Sequence, residues 1–283
     1  MKNINFLIVG KPNSGKSTFY NTLNNKYLSP TGPESGLTKD IFKNEVNILD
    51  TNFIFFDTPG LRRKNKINDK EEAKLTYDVI NLIDKIDVVF LLVDATESLT
   101  KQDLKIAEIV IKRRKILFVV FNKIDLIDDI DKFQKDQKYY FLESYSPANT
   151  INLKFISALS IDSIERILKN VIRTCRIKST KISTPKLNIF VRDILKNQKF
   201  PKINKIEVKP KYMVQTDDDY PRFKIFINSS KKVPQSYKRF YENILRKKFL
   251  LVGVPIQLDF IVSKKIHMLR KIKNFTSFNY IFI

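Results

Sequence analysis

The chain has one cysteine, one histidine and six glycines in 283 residues, and each scarcity closes off a class of explanation. A lone Cys175 cannot build an internal disulfide framework and fits a reducing compartment, with packing as its role. His267, the single histidine, lies in a basic stretch without a partner for a catalytic triad and reads as a surface residue. No apolar run approaches the length of a membrane span. The apolar residues at 4–9 are too few for a secretory signal and lead straight into a glycine-containing loop, so a cytoplasmic protein is expected. What is present is a hydrophobic content of 43% over a length that suffices for two domains.

Three of the six glycines, Gly10, Gly15 and Gly60, fall inside short motifs that follow apolar strands. GKPNSGKS starts at residue 10, DTPG at 57, NKID at 122 and SAL at 157. The first has the G-x-x-x-x-G-K-[ST] pattern between a buried strand and a helix. Its backbone N–H groups wrap phosphates, Lys16 reaches the β and γ oxygens, and the Ser17 hydroxyl binds magnesium. The helix N-terminus adds partial positive charge. Gly10, Lys11, Pro12, Asn13, Ser14, Gly15, Lys16, Ser17 and Thr18 form the candidate phosphate set.

Asp57, Thr58, Pro59 and Gly60 follow a strand at 53–56, at the carboxyl edge where open α/β sheets bind ligands. Asp57 is expected in the magnesium shell and the Gly60 amide at the γ-phosphate. After the strand at 116–121, Asp125 can accept hydrogen bonds from the guanine N1–H and N2 amine, a pair that adenine lacks. Asn122 is expected to brace the loop and contact the base, while the Lys123 stem covers the ring. Backbone amides at Ser157, Ala158 and Leu159 suit the guanine O6. Alone, each tetrapeptide is an ordinary turn. Together, in this order, they point to GTP and GDP with Mg²⁺.

Strands are expected near 4–9, 41–48, 53–57, 87–93, 116–121 and 152–156, with helices near 16–24, 70–84, 100–113, 132–143 and 161–174. This alternation reads as a doubly wound, mostly parallel α/β sheet over residues 1–175, and the motifs it carries make that domain a P-loop GTPase domain. A polar linker at 176–185 leads to a smaller α+β domain at 186–265. There the pattern predicts a helix at 186–196, strands at 206–215 and 223–228, a helix at 235–248 and a strand at 255–262. Residues 266–283, basic and then aromatic, remain unassigned.

Charge divides the chain unevenly. Residues 1–175 carry 27 basic and 23 acidic side chains, whereas residues 176–283 carry 25 and 7. Codon bias toward lysine should not spare one half. The asymmetry implies a polyanionic partner for the second domain, with RNA favoured over membrane because no amphipathic lipid-facing helix or lipidation signal stands out.

RRK at 62–64, DATESLTKQDLKIA at 94–107, KISTPKLN at 181–188, PQSYKRFYENILRKKF at 234–249 and GVPIQLDF at 253–260 resemble the bacterial Der (EngA) GTPases. The likeness is to their second GTPase domain and C-terminal KH-like domain, from residue 3 to about 265. It implies a GTP-hydrolysing ribosome biogenesis factor acting on ribosomal RNA of the large subunit, monomeric off the ribosome. Der proteins carry two GTPase domains and this chain shows one, so it reads as a reduced version or as a piece of a longer product. Its KH-like region holds only Gly253 and no GxxG, so RNA contact is expected from a basic surface instead of the usual clamp.

The resemblance also bears on hydrolysis. Leu61 stands where many small GTPases place a water-orienting Gln. Related GTPases with Asn in the phosphate loop use a potassium ion bound partly by that Asn, which implies a K⁺ role for Asn13 and slow, K⁺-stimulated turnover. The first switch is expected at 30–40, with Thr38 on magnesium. Asn13, Lys16 and Thr38 are thus the candidate catalytic residues. Arg62 and Arg63 fall in the second switch, where they either report nucleotide state or are simply solvated. Tyr237, Phe240 and Tyr241 have the spacing of a helix face packed on a sheet. Strand alternation accounts for Phe223, Lys224, Ile225 and Phe226 without RNA. Two other functions stay open: a GTP-dependent ribosome- or RNA-binding module with negligible hydrolysis, and a GTPase of another branch acting on small-subunit rRNA or tRNA modification.

Overall fold

Two strands carry no polar residue until their last position. β4 (Val88–Asp94) and β5 (Ile116–Asn122) are buried along their whole lengths. An unbroken apolar run of this kind suits a strand covered on both faces, at the middle of a parallel sheet. In the computed structural model they occupy that place. The structure describes residues 2–27, 43–56, 80, 82–97, 99–144, 151–197, 200, 202–203, 206–216, 218–228 and 233–263.

The main sheet also contains β1 (Lys2–Val9), β2 (Lys43–Ile48), β3 (Thr51–Phe56) and β6 (Ile151–Phe155). Its order is β2-β3-β1-β4-β5-β6, with only β2 antiparallel to its neighbour. Two apolar layers sandwich it. On one face Phe19 and Leu23 of α1 (Lys16–Tyr27) and Ile164, Leu168 and Val171 of α4 (Ile161–Lys178) pack on Phe6, Phe53 and Phe90. On the other, Ile106, Ala107 and Val110 of α2 (Lys101–Lys112) join Leu82, Ile83 and Ile86, with Phe141 of α3 (Ile130–Ser144). A capping box starts α2: Thr100 N–H donates to Asp103 Oδ2 at 2.9 Å and Asp103 N–H donates back to Thr100 Oγ1. This is the doubly wound, mostly parallel sheet that the apolar pattern predicts.

Contacts divide the chain into two compact units, residues 1–177 with 252–255, and 178–251 with 256–283. In the second, the sheet order is β11-β10-β9, from β9 (Pro210–Thr216), β10 (Arg222–Ile227) and β11 (Gln257–Val262). Parallel β10 and β11 are joined through α6 (Gln235–Phe249), and α5 (Thr184–Asn197) precedes the sheet. Phe223, Ile225 and Tyr241 are fully buried, as sheet and helix periodicity predict, while Lys224 and Phe226 fall on the half-exposed opposite face. Among the described residues, no helix is long and apolar enough to cross a membrane.

Several boundaries differ from the sequence pattern. Helix α1 continues to Tyr27 through the polar run Asn24, Asn25 and Lys26, which looks like a loop until Lys26 is seen bonded to Glu165 of α4 at 2.5 Å. Helix α4 runs to Lys178, into the stretch read as linker, and α5 begins at Thr184. The expected strand at 206–215 is split: β8 (Ile206–Glu207) pairs with β7 (Lys202–Ile203), and β9 starts afresh at Pro210, which lacks the N–H that a continuous ladder needs. Of the helix expected at 70–84, residues 80 and 82–84 are described; 80, 82 and 83 are helical, and Asp84 already lies in a turn.

Candidate functional site

Every strand of the parallel set delivers its last residue to the same edge of the sheet, and the candidate groups follow those ends. After β1 the chain turns sharply. Gly10, Asn13 and Gly15 all take positive φ, at 150°, 64° and 94°. A Cβ on Gly10 would lie 2.2 Å from the Leu92 carbonyl oxygen, and one on Gly15 would lie 2.0 Å from Asn122 Nδ2. Glycine is therefore required at both positions by contact as well as by conformation.

The loop closes around its own lysine. Lys16 Nζ donates to the Gly10 carbonyl at 2.8 Å and to the Lys11 carbonyl, and Ser14 Oγ lies 3.4 Å away. Burial of the ammonium pushes its pKa down to about 8. An anionic ligand in the loop would favour the charged form and offset that burial. Ser17, at the start of α1, is exposed, as are Pro12 and Asn13, whereas Ser14 is buried and Thr18 half-buried. Left-handed turns, a half-buried lysine and an open serine at a helix N-terminus together fit a phosphate chain with a magnesium ion.

Asn122 joins the pieces. At the end of β5, 1% exposed, its Nδ2 donates to the Ser14 carbonyl at 2.9 Å and its Oδ1 accepts from the Ala158 N–H at 2.7 Å. One amide thus spans the phosphate loop and the SAL loop. Thr22 of α1 adds a bond to the Ala158 carbonyl at 2.8 Å. Around the NKID turn, Lys123 is left-handed at φ 64°, Ile124 N–H donates to the Ile156 carbonyl at 3.3 Å, and Asp125 lies exposed in a 3₁₀ turn (Ile124–Leu126). Ser157 is half-buried and Leu159 is exposed. Thr38, Asp57, Thr58, Pro59, Gly60, Leu61, Arg62 and Arg63 lie outside the described residues, and so does His267.

Sequence reasoning passed over the carboxylate at the end of β4. Asp94, 8% exposed, pairs with the Lys123 ammonium and accepts from Thr96 N–H at 3.0 Å and Thr96 Oγ1 at 2.8 Å. Burial pushes its carboxyl pKa up, but the Lys123 and Thr96 hydrogen bonds outweigh it and hold the value below the usual one. Asp94 and Asn122 are register partners across β4 and β5, and the Ala95 N–H donates to the Asn122 carbonyl at 2.8 Å. The signal available in sequence was an acidic residue closing an otherwise apolar strand.

Known proteins match this architecture in both parts. Residues 5–123 match a family described as 50S ribosome-binding GTPase, and residues 181–260 match the KH-domain-like C-terminal domain of EngA bacterial GTPase enzymes. GTPase Der of Rickettsia typhi is 34% identical over 266 residues, covering 92% of this chain and 59% of that protein. GTPase Der of Rickettsia rickettsii (strain Sheila Smith) is 34% identical over 265 residues with the same coverage. The chain therefore spans 59% of the length of these relatives. A crystal structure of Era in complex with MgGDPNP and nucleotides 1506–1542 of 16S ribosomal RNA aligns over 93% of both chains, at 22% identity and a TM-score of 0.47. The chain thus matches the EngA (Der) bacterial GTPases in both of its parts, one GTPase domain and the C-terminal KH-like domain.

Proposed function

We propose that the chain binds GTP with magnesium, hydrolyses it slowly to GDP and phosphate, and uses the nucleotide state to control binding to RNA of the large ribosomal subunit. The observation that carries the nucleotide part is the Asn122 amide, bonded at once to the phosphate loop and to the SAL loop. It supports a single pocket running from phosphate to base.

In that pocket Lys16 and the backbone of residues 10–18 would hold the phosphates, and Ser17, with Thr38 and Asp57, the magnesium. An ion held by these residues would offset the negative charge that develops on the phosphates during hydrolysis. The exposed Asp125 carboxylate would accept the two guanine N–H donors, with the Lys123 stem on the ring. Asn13 is exposed in its left-handed turn, free of the packing that fixes Ser14, and would supply an oxygen to a potassium ion at the phosphates. The 25 basic and 7 acidic side chains after residue 175, together with the EngA-type KH-like domain, support RNA as partner. The large subunit rests on the family description of the first domain.

Three measurements test the reading. Asp125→Asn turns a double acceptor into a group that also donates, so guanine nucleotide affinity should fall while inorganic phosphate contacts persist; unchanged affinity refutes the base assignment. Single-turnover phosphate release should be faster in K⁺ than in Na⁺. Equal rates remove the potassium role, and no release at all leaves a nucleotide-controlled binding module. Co-sedimentation should favour large over small subunits and should differ between GDP and a non-hydrolysable GTP analogue.

A further inference from the structure

Lys123 is the residue of the NKID turn whose side chain has most freedom to lose. A lysine ordered against a base gives up rotamer entropy on binding, unless something orders it beforehand. In this structure something does. Its ammonium is held by the buried Asp94 carboxylate, whose other bonds go to Thr96 N–H and Oγ1, and its backbone is already in the left-handed region. Because Asp94 closes β4 and pairs in register with Asn122, the anchor is fixed by the sheet itself.

We infer that Asp94 is a positioning residue for guanine recognition: it preorganises Lys123 so that the aliphatic stem is in place before the base arrives. The inference rests on the reading of residues 122–125 as the base-binding turn. The neighbouring ion pair between Lys11 and Glu97 spans 3.5 Å with side chains 31% and 55% exposed, so it contributes little by comparison. The segment from Asp94 to Glu97 nevertheless touches both the phosphate loop and the base turn, through Lys11 and Lys123.

A double-mutant cycle on GDP affinity tests the inference in the full chain. Asp94→Asn keeps an oxygen for the Thr96 bonds and removes the charge that holds Lys123. Lys123→Met keeps a stem of similar length and removes the ammonium. Each single substitution should weaken GDP binding about tenfold, and the double variant should be no weaker than Lys123→Met alone. Losses that multiply would show Asp94 acting otherwise than through Lys123 and would overturn the inference, as would an Asp94→Asn chain that binds like wild type. Should Asp94→Asn fail to fold, Lys123→Met decides by itself: a tenfold loss supports the anchor and no loss overturns it. Wild-type chain that binds no guanine nucleotide would instead overturn the base-binding reading beneath it.

Discussion

Replacing Asn122 by Ala is the sharpest test of how the site is built. The substitution removes the donor to the Ser14 carbonyl and the acceptor of the Ala158 N–H, two groups on residues each 2% exposed. An orphaned buried polar group costs about 1–3 kcal/mol, so two cost roughly 2–6 kcal/mol before relaxation. Part of that cost would be recovered by the two loops opening to water. The remainder would appear as a distorted phosphate loop, so nucleotide affinity should fall by about one to two orders of magnitude. Denaturant unfolding of nucleotide-free protein measures the first quantity, and titration with a fluorescent GDP analogue the second. Asn122→Asp refines the comparison: it preserves the acceptor for Ala158 but faces a carboxylate oxygen toward the Ser14 carbonyl, and it should be no better than Ala. Lost affinity with unchanged nucleotide-free stability would mean that Asn122 acts only on the base. Both quantities unchanged would refute the reasoning altogether.

Gly15→Ala should abolish tight nucleotide binding while leaving the chain folded, because its Cβ would sit 2.0 Å from Asn122 Nδ2 at φ 94°; binding within a few-fold of wild type would contradict the loop geometry. Above pH 10 the second unit should unfold with release of phenolates. Burial pushes the Tyr237 hydroxyl up to about 12 and that of Tyr241 further up, so both ionise more readily in the unfolded chain. Stability from these groups is full below about pH 10 and is lost as pH rises toward 12. Phenolate absorbance that completes near pH 10 in a chain still folded by circular dichroism would count against it. RNA affinity of the full chain should fall steeply with salt, by about one log unit in affinity per log unit of salt for each phosphate neutralised; a flat dependence would remove the basic half as the RNA-binding part.

The sheet was legible in the sequence because its central strands are unbroken apolar runs and its helices repeat at the helical period. The phosphate loop was legible because its glycines are demanded by backbone geometry and its lysine follows them at a fixed spacing. What escaped depends on register between distant segments. Nothing local to Asp94 reveals that Asn122 and Lys123 end beside it, since that follows from pairing Val88 with Ile116 at the far end of the same two strands. Nor does the polar run at the end of α1 reveal Glu165, 139 positions from Lys26, as its support. The break before Pro210 was legible in principle and was passed over for the apolar alternation on either side of it.

The pairing of β4 with β5 reaches further than packing. One residue inserted within β5 would exchange its inward and outward side chains from that point on. Asn122 would then turn away from Ser14, Lys123 would lose Asp94, and both ends of the pocket would fail in a single step. Such an insertion, though buried far from any ligand, should behave like a deletion of the binding loops themselves.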